Sequence, residues 1–246
     1  FGLLPGRAEK YGTDFAILTG DVQQAWASDV LLRSTDRGVS AETALAMARR
    51  MQSFLNRELI SGEALDVEFE YRKVLPPKAE VIDMIRGKTG ALLAFSAECG
   101  AMAGLDTPDW TANPVAALSE FASELGYAFQ LCDDLLGVYG DEAKFGKPLC
   151  SDFREGKPTV LYLEALERLT ESGRAELTAL MKRPAYTETE IAKIRSLLEE
   201  CGARAAVVRA AEESSDKAMA NLSSLPENKY RSLLEELAED LLKRNV

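Results

Sequence analysis

Apolar residues recur three and four positions apart along nearly the whole sequence, the spacing of helices with one face turned inward. The pattern predicts helices over about 8–35, 40–60, 78–104, 113–139, 155–182, 187–202, 203–223 and 228–244. Breakers fall between them: Gly38, Pro76-Pro77, Pro108, Asn113-Pro114, the loop 140–152, Pro184 and Pro226. No stretch of useful length alternates apolar and polar positions, which disfavours a parallel-sheet nucleotide fold. Two segments, Ala91 to Ala97 and Ala122 to Val138, are apolar around most of the helix and are expected at the centre. The charged stretches 164–182 and 229–244 are expected outside. The predicted fold class is all-α, a helical bundle with a buried middle.

Composition fits that picture. A chain of 246 residues, 46% hydrophobic, can bury one large core, and nothing demands a second domain, so one domain is expected across 1–246. The formal charge of −11 argues against a nucleic-acid surface. An anion can still bind where a metal and a few lysines reverse the sign locally. Cys99, Cys132, Cys150 and Cys201 are scattered without a Cys-x-x-Cys spacing, which argues against zinc or a disulfide framework and fits a reducing cytoplasm. No long uncharged apolar run and no secretory leader is visible, although residues ahead of Phe1 could carry a targeting segment. The sequence contains no histidine, so a Ser-His-Asp triad, a His metal site and a His general base are excluded within it.

The chemistry concentrates in Gln130-Leu131-Cys132-Asp133-Asp134 and in the loop that follows, with Gly146-Lys147-Pro148 and Glu155-Gly156-Lys157-Pro158-Thr159. Residues three and four apart share a helix face, so Gln130 lies beside Asp133 and Asp134. Their neighbours Phe129, Leu131, Leu135, Leu136 and Val138 are apolar. Two ionised carboxylates in such surroundings repel each other without a counter-charge. Hard oxygen ligands with no His beside them favour magnesium, which leans on one or two carboxylates plus substrate phosphates. A helix cap or a structural salt bridge is the alternative for the pair. Gly87-Lys88-Thr89 is no phosphate loop, because the glycine required five residues earlier is Ile82 and no strand precedes it. The apolar run after it points into the core, which puts Lys88 and Thr89 at the mouth of a buried cavity.

These segments resemble, in order, those of the trans-isoprenyl diphosphate synthases, the polyprenyl synthetases. Tyr11-Gly12 through Ala16-Ile17-Leu18-Thr19-Gly20-Asp21 is similar to the family's "YG…A-I-L-x-G-D" helix. Gly62-Glu63 with Asp66 resembles its "G-[EQ]-x-x-D" segment, Lys88-Thr89 its "K-T" helix, and Phe129 to Asp134 its second aspartate-rich motif. Lys147, Ser151-Asp152 and Lys157 resemble its closing lysine loop. The resemblance implies an isoprenoid synthase-type bundle with a central ligand cavity, magnesium as cofactor and a homodimer. It implies a prenyltransferase that joins isopentenyl diphosphate to an allylic diphosphate, giving geranylgeranyl or farnesyl diphosphate. It assigns metal to Asp133 and Asp134, diphosphate to Lys88, Lys147 and Lys157, and the carbocation side to Thr89 and Gln130.

The sequence also departs from the family's pattern. The first aspartate-rich motif is absent, and the chain is expected to be N-terminally incomplete. The slots of the family's Arg pair hold Phe1 and Gly2, which leaves Arg7 as a substitute diphosphate ligand. Gly137 stands where a further Asp is common and Cys150 where Gly is common, with Asp141 a nearby auxiliary. A non-catalytic partner subunit and a terpene cyclase on the same fold remain the alternative readings. Small residues at Ala94, Ala97, Gly100 and Ala101 leave room for a long chain or serve close packing.

Overall fold

The computed structural model describes residues 7–141 and 148–243, and among them every regular element is helical. Helix α1 (Arg7–Leu32) runs through a 3₁₀ turn (Arg33–Arg37) to Gly38, whose φ of 94° reverses the chain. Ser40 caps α2 (Ala41–Arg50) by accepting from the Thr43 backbone N–H. A π turn (Met51–Leu55) joins α2 to α3 (Asn56–Tyr71), and a second (Arg86–Gly90) joins α4 (Lys78–Ile85) to α5 (Ala91–Leu105). Then come α6 (Asn113–Tyr139), α7 (Ser151–Glu155), α8 (Val160–Arg168), α9 (Glu171–Ala179), α10 (Glu188–Glu200), α11 (Ala203–Ser223) and α12 (Lys229–Lys243). None of the described helices is long and apolar enough to cross a membrane.

Helix α6 is the axis, packed along α11 on one side and α5 on the other. Its Phe121, Leu125, Ala128, Leu131, Leu135 and Val138 are all buried. One buried acid sits beside this core. Glu98 of α5 is 2% exposed and is fully engaged: Arg50 donates to both its oxygens at 2.8 and 2.9 Å, and Ser119 to one at 2.7 Å. The pair ties α2, α5 and α6 together, and removing either partner would strand a buried charge.

Four expectations need correction. The helix expected over 40–60 continues to Tyr71, because no breaker intervenes and Gly62 and Phe69 turn inward. The helix expected over 155–182 is two short ones, α8 and α9, after α7 has ended at Glu155. Pro158 cannot donate to a helix, while Thr159 and Thr170 cap fresh starts by accepting from Tyr162 and Gly173. Nor does the charged stretch 164–182 lie wholly outside, since Ala165, Leu177 and Leu180 are core residues. Conversely Leu92 and Leu93, expected at the centre, are 47% and 39% exposed.

Candidate active site

Two glycine crossings build the site. A Cβ added at Gly62 of α3 would lie 2.9 Å from the Gly87 carbonyl carbon and 2.9 Å from the Met84 oxygen. One at Gly87 would lie 2.6 Å from the Glu58 oxygen. The two backbones therefore touch, and the π turn bends around the contact. The residues flanking Gly62 and Gly87 are thereby brought together: Lys88 Nζ reaches Asp66 Oδ2 at 2.7 Å and Glu63 Oε2 at 3.2 Å. Four residues along the helix from Gly62, Asp66 shares its face. At the second crossing, a Cβ on Gly126 of α6 would lie 3.1 Å from Gly90 Cα. That approach lets the Thr89 hydroxyl donate to Gln130 Oε1 at 3.3 Å, and Gln130 Nε2 in turn donates to Asp134 Oδ1 at 3.1 Å.

Lys88, Thr89, Gln130, Asp133, Asp134 and Lys157 line one cavity of about 230 Å³. Asp66 and Asp152 line it too, although the sequence assigned neither a role. Both stood in the segments quoted above: Asp66 ends the Gly-Glu-x-x-Asp spacing, and Asp152 precedes Lys157 by five. What the sequence could not supply was their depth. Of the remaining expected site residues, Arg7 begins α1 but its side chain lies outside the description, and Lys147 lies outside the described residues altogether. Asp141 is exposed and is not among the residues lining this cavity.

Gly137 and Cys150 now have a physical account. The Cys150 backbone N–H donates to the Gly137 carbonyl at 2.6 Å, which folds the loop back on α6. A Cβ at Gly137 would stand 3.3 Å from Asp152 Oδ2. An aspartate at 137 would thus crowd the carboxylate that the loop brings in from the other side. Cys150 itself takes φ 59°, a left-handed conformation that explains why glycine suits this position.

The electrostatics are lopsided. Asp134 is 7% exposed, and its carboxyl is pushed up to about 8, first by burial and then by Asp152, against the hydrogen bond from Gln130. Burial opposes the charges of Lys88 and Lys157, yet both are held above the ordinary lysine range, Lys88 by Asp66 and Glu63 and Lys157 chiefly by Glu155. Four aspartates against two lysines line the cavity. Such a donor set suits a hard divalent cation. Among the described residues no three acids, cysteines or histidines converge tightly enough to hold a metal by themselves. Magnesium, which keeps several waters and takes phosphate oxygens, fits a site of this kind.

A family model described as polyprenyl synthetase matches residues 5–198. The chain belongs to the polyprenyl synthetase family. It is 35% identical over 188 residues to the short chain isoprenyl diphosphate synthase of Methanocaldococcus jannaschii, covering 76% of this chain and 54% of that one. Among solved structures, the geranylgeranyl pyrophosphate synthetase from Pyrococcus horikoshii Ot3 superposes with a TM-score of 0.85 at 30% identity, over 96% of this chain and 69% of that one. The geranylgeranyl pyrophosphate synthase from Corynebacterium glutamicum, complexed with isoprenyl diphosphate and magnesium, gives 0.79 at 29% identity, over 98% and 66%. The chain spans about half the length of the curated synthases, 54% of the Methanocaldococcus protein and 48% of the geranylgeranyl diphosphate synthase of Sulfolobus acidocaldarius. The all-α bundle is the fold of these polyprenyl synthetases.

Proposed function

We propose that this polyprenyl synthetase chain, one domain across 1–246, condenses isopentenyl diphosphate head-to-tail with an allylic diphosphate, giving geranylgeranyl or farnesyl diphosphate. The observation that carries the reading is the convergence of Lys88, Thr89, Gln130, Asp133, Asp134 and Lys157 on one cavity. Magnesium held by Asp133 and Asp134 together with diphosphate oxygens would supply a Lewis acid and a template for the diphosphate. Lys88 and Lys157 bind the diphosphate, with Arg7 and Lys147 as further contacts. Breaking the allylic C–O bond leaves its electron pair on diphosphate and an allylic cation. The oxygens of Thr89 and Gln130, fixed by their mutual hydrogen bond, turn lone pairs to that cation without trapping it. The isopentenyl double bond supplies the pair for the new C–C bond, and the proton lost from the neighbouring carbon goes to the departing diphosphate. Val81, Met84, Ile85 and Pro158 form an apolar wall that excludes water from the cation.

Helix α1 supports a homodimer. Phe15, Leu18, Val22, Trp26 and Val30 recur at helical spacing and are 43%, 59%, 46%, 62% and 67% exposed, an apolar stripe on one side.

The reading is tested by incubating the protein with both diphosphates and magnesium, then extracting and sizing the product. A C15 or C20 linear diphosphate is expected. Lys88→Ala should weaken allylic diphosphate by roughly thirtyfold, about 2 kcal/mol for a charged hydrogen bond, with the helical signal intact. Unchanged affinity would remove Lys88 from the site. Turnover seen only with a second subunit present would favour the non-catalytic partner reading, and a cyclised product the cyclase.

A further inference from the structure

The outer side of α6 carries a second cavity, opposite the aspartates. Leu135, Tyr139, Val208, Arg204, Arg209 and Glu199 line about 480 Å³, within the roughly 300–1,000 Å³ typical of small-molecule sites. Its walls are largely apolar, and its charged lining is two arginines against one glutamate, a net positive charge. Three features point to a ligand. The Tyr139 hydroxyl is buried and has no hydrogen-bond partner. An unpartnered buried hydroxyl costs about 1–3 kcal/mol, and such a group in a folded protein asks for an explanation. The Arg204 guanidinium stands 4.5 Å from the centre of the Tyr139 ring and that of Arg195 stands 5.8 Å away, so positive charge gathers around the phenol. Arg204 touches Glu199 only at 3.4 Å, with both side chains about half exposed, and among the described residues Arg209 has no ion-pair partner. In a chain of net charge −11 such a concentration of guanidinium groups is a local reversal of sign.

A phenol stranded as a donor, beside arginines that are donors only, needs an acceptor with negative charge. The apolar floor needs a hydrocarbon. We infer that this cavity is a second binding site for an amphipathic anion, a soluble isoprenoid phosphate or diphosphate. Its acid group meets Arg204 and Arg209 and accepts from Tyr139, and its chain lies on Leu135 and Val208. The identity of the ligand rests on the function proposed above, which makes isoprenoid diphosphates the small molecules of this protein. Leu135 follows Asp134 directly, so one turn of α6 has the catalytic cavity on one side and this site on the other.

The test is calorimetric titration of the intact protein with geranyl diphosphate in EDTA, where no turnover occurs and failure to condense leaves the result readable. Arg204→Gln/Arg209→Gln should weaken binding at this site about tenfold or more, whereas Lys88→Gln/Lys157→Gln should leave it unchanged. Tyr139→Phe guards against a mere loss of fold. Removing the stranded hydroxyl should raise the melting temperature of the ligand-free protein while weakening geranyl diphosphate. Binding that survives the arginine changes and disappears with the lysine changes would overturn the proposal, as would no binding at all.

Discussion

Helices α1 and α6 are nearly equal in length, 26 and 27 residues, and both are rich in large apolar side chains, yet their surroundings are opposite. In α6, Phe121, Leu125, Leu131, Leu135 and Val138 are each 5% exposed or less. In α1, Val22, Trp26 and Val30 are 46% exposed or more. The difference lies in what each helix meets. Helix α6 is covered by α5 and α11 of the same chain, and it reaches that cover through glycines at the crossing. The outward stripe of α1 has no such cover among the described residues. Periodicity reports that a face must be covered, and it carries no information on which molecule does the covering.

The comparison can be broken at its most extreme point first. Helix α6 carries a buried Asp134 and a half-buried Asp133 among apolar neighbours, and on the proposed metal role Asp133→Ala should cut magnesium-dependent condensation on the order of a thousandfold, about 4 kcal/mol of transition-state stabilisation. Circular dichroism should be unchanged, and retained turnover would end the metal role. Next is the packing that gives the inner helices their cover. Gly62→Ala inserts a methyl where the Gly87 and Met84 backbones already stand 2.9 Å from it, and should lower stability by about 3 kcal/mol, read as a shift of the urea midpoint. A neutral effect would mean the helices separate easily. On α1 the expected effect is on association. Trp26→Ser should weaken the proposed dimer by about 2 kcal/mol, read by sedimentation, with little change in monomer unfolding. A wild type that stays monomeric at high concentration would remove the dimer.

The last test sharpens the contrast electrostatically. Asp134 is raised from its ordinary 3.8 to about 8, so the folded state holds a proton that the unfolded chain has released. Between those values the native protein binds more protons, and stability falls as pH rises from about 4 to 8. In EDTA the melting temperature should decline across that window, and Asp134→Asn should flatten the decline. A melting temperature that rises with pH there in wild type would contradict the burial of this carboxyl.

Much of this was legible in the sequence for identifiable reasons. The starts of α4–α5 and α6 follow from Pro77 and Pro114, which act locally and can be read locally. The Gln130, Asp133 and Asp134 grouping was equally legible, since helical spacing alone sets it. Splitting of 155–182 was missed because the apolar period continues through Pro158, and the two threonine caps emerge only with the backbone. The place of Asp66 and Asp152 in the cavity was hidden for a different reason. Each enters the cavity through a contact between distant segments, Asp66 through the Gly62–Gly87 crossing and Asp152 through the loop folded back on Gly137. Exposure of Leu92 and Leu93 was hidden likewise, because a run of apolar residues looks the same whether or not a neighbour arrives.

The sequence has two tryptophans, and they divide the molecule between them. Trp26 stands 62% exposed on the α1 stripe, and Trp110 lies by the Arg50 guanidinium, 5.7 Å from its ring centre. An indole in water emits to the red and one enclosed by hydrocarbon emits to the blue. With Trp110→Phe, the fluorescence of the whole protein therefore becomes the signal of a single residue, and its colour reports, without any added label, whether the α1 stripe has been covered.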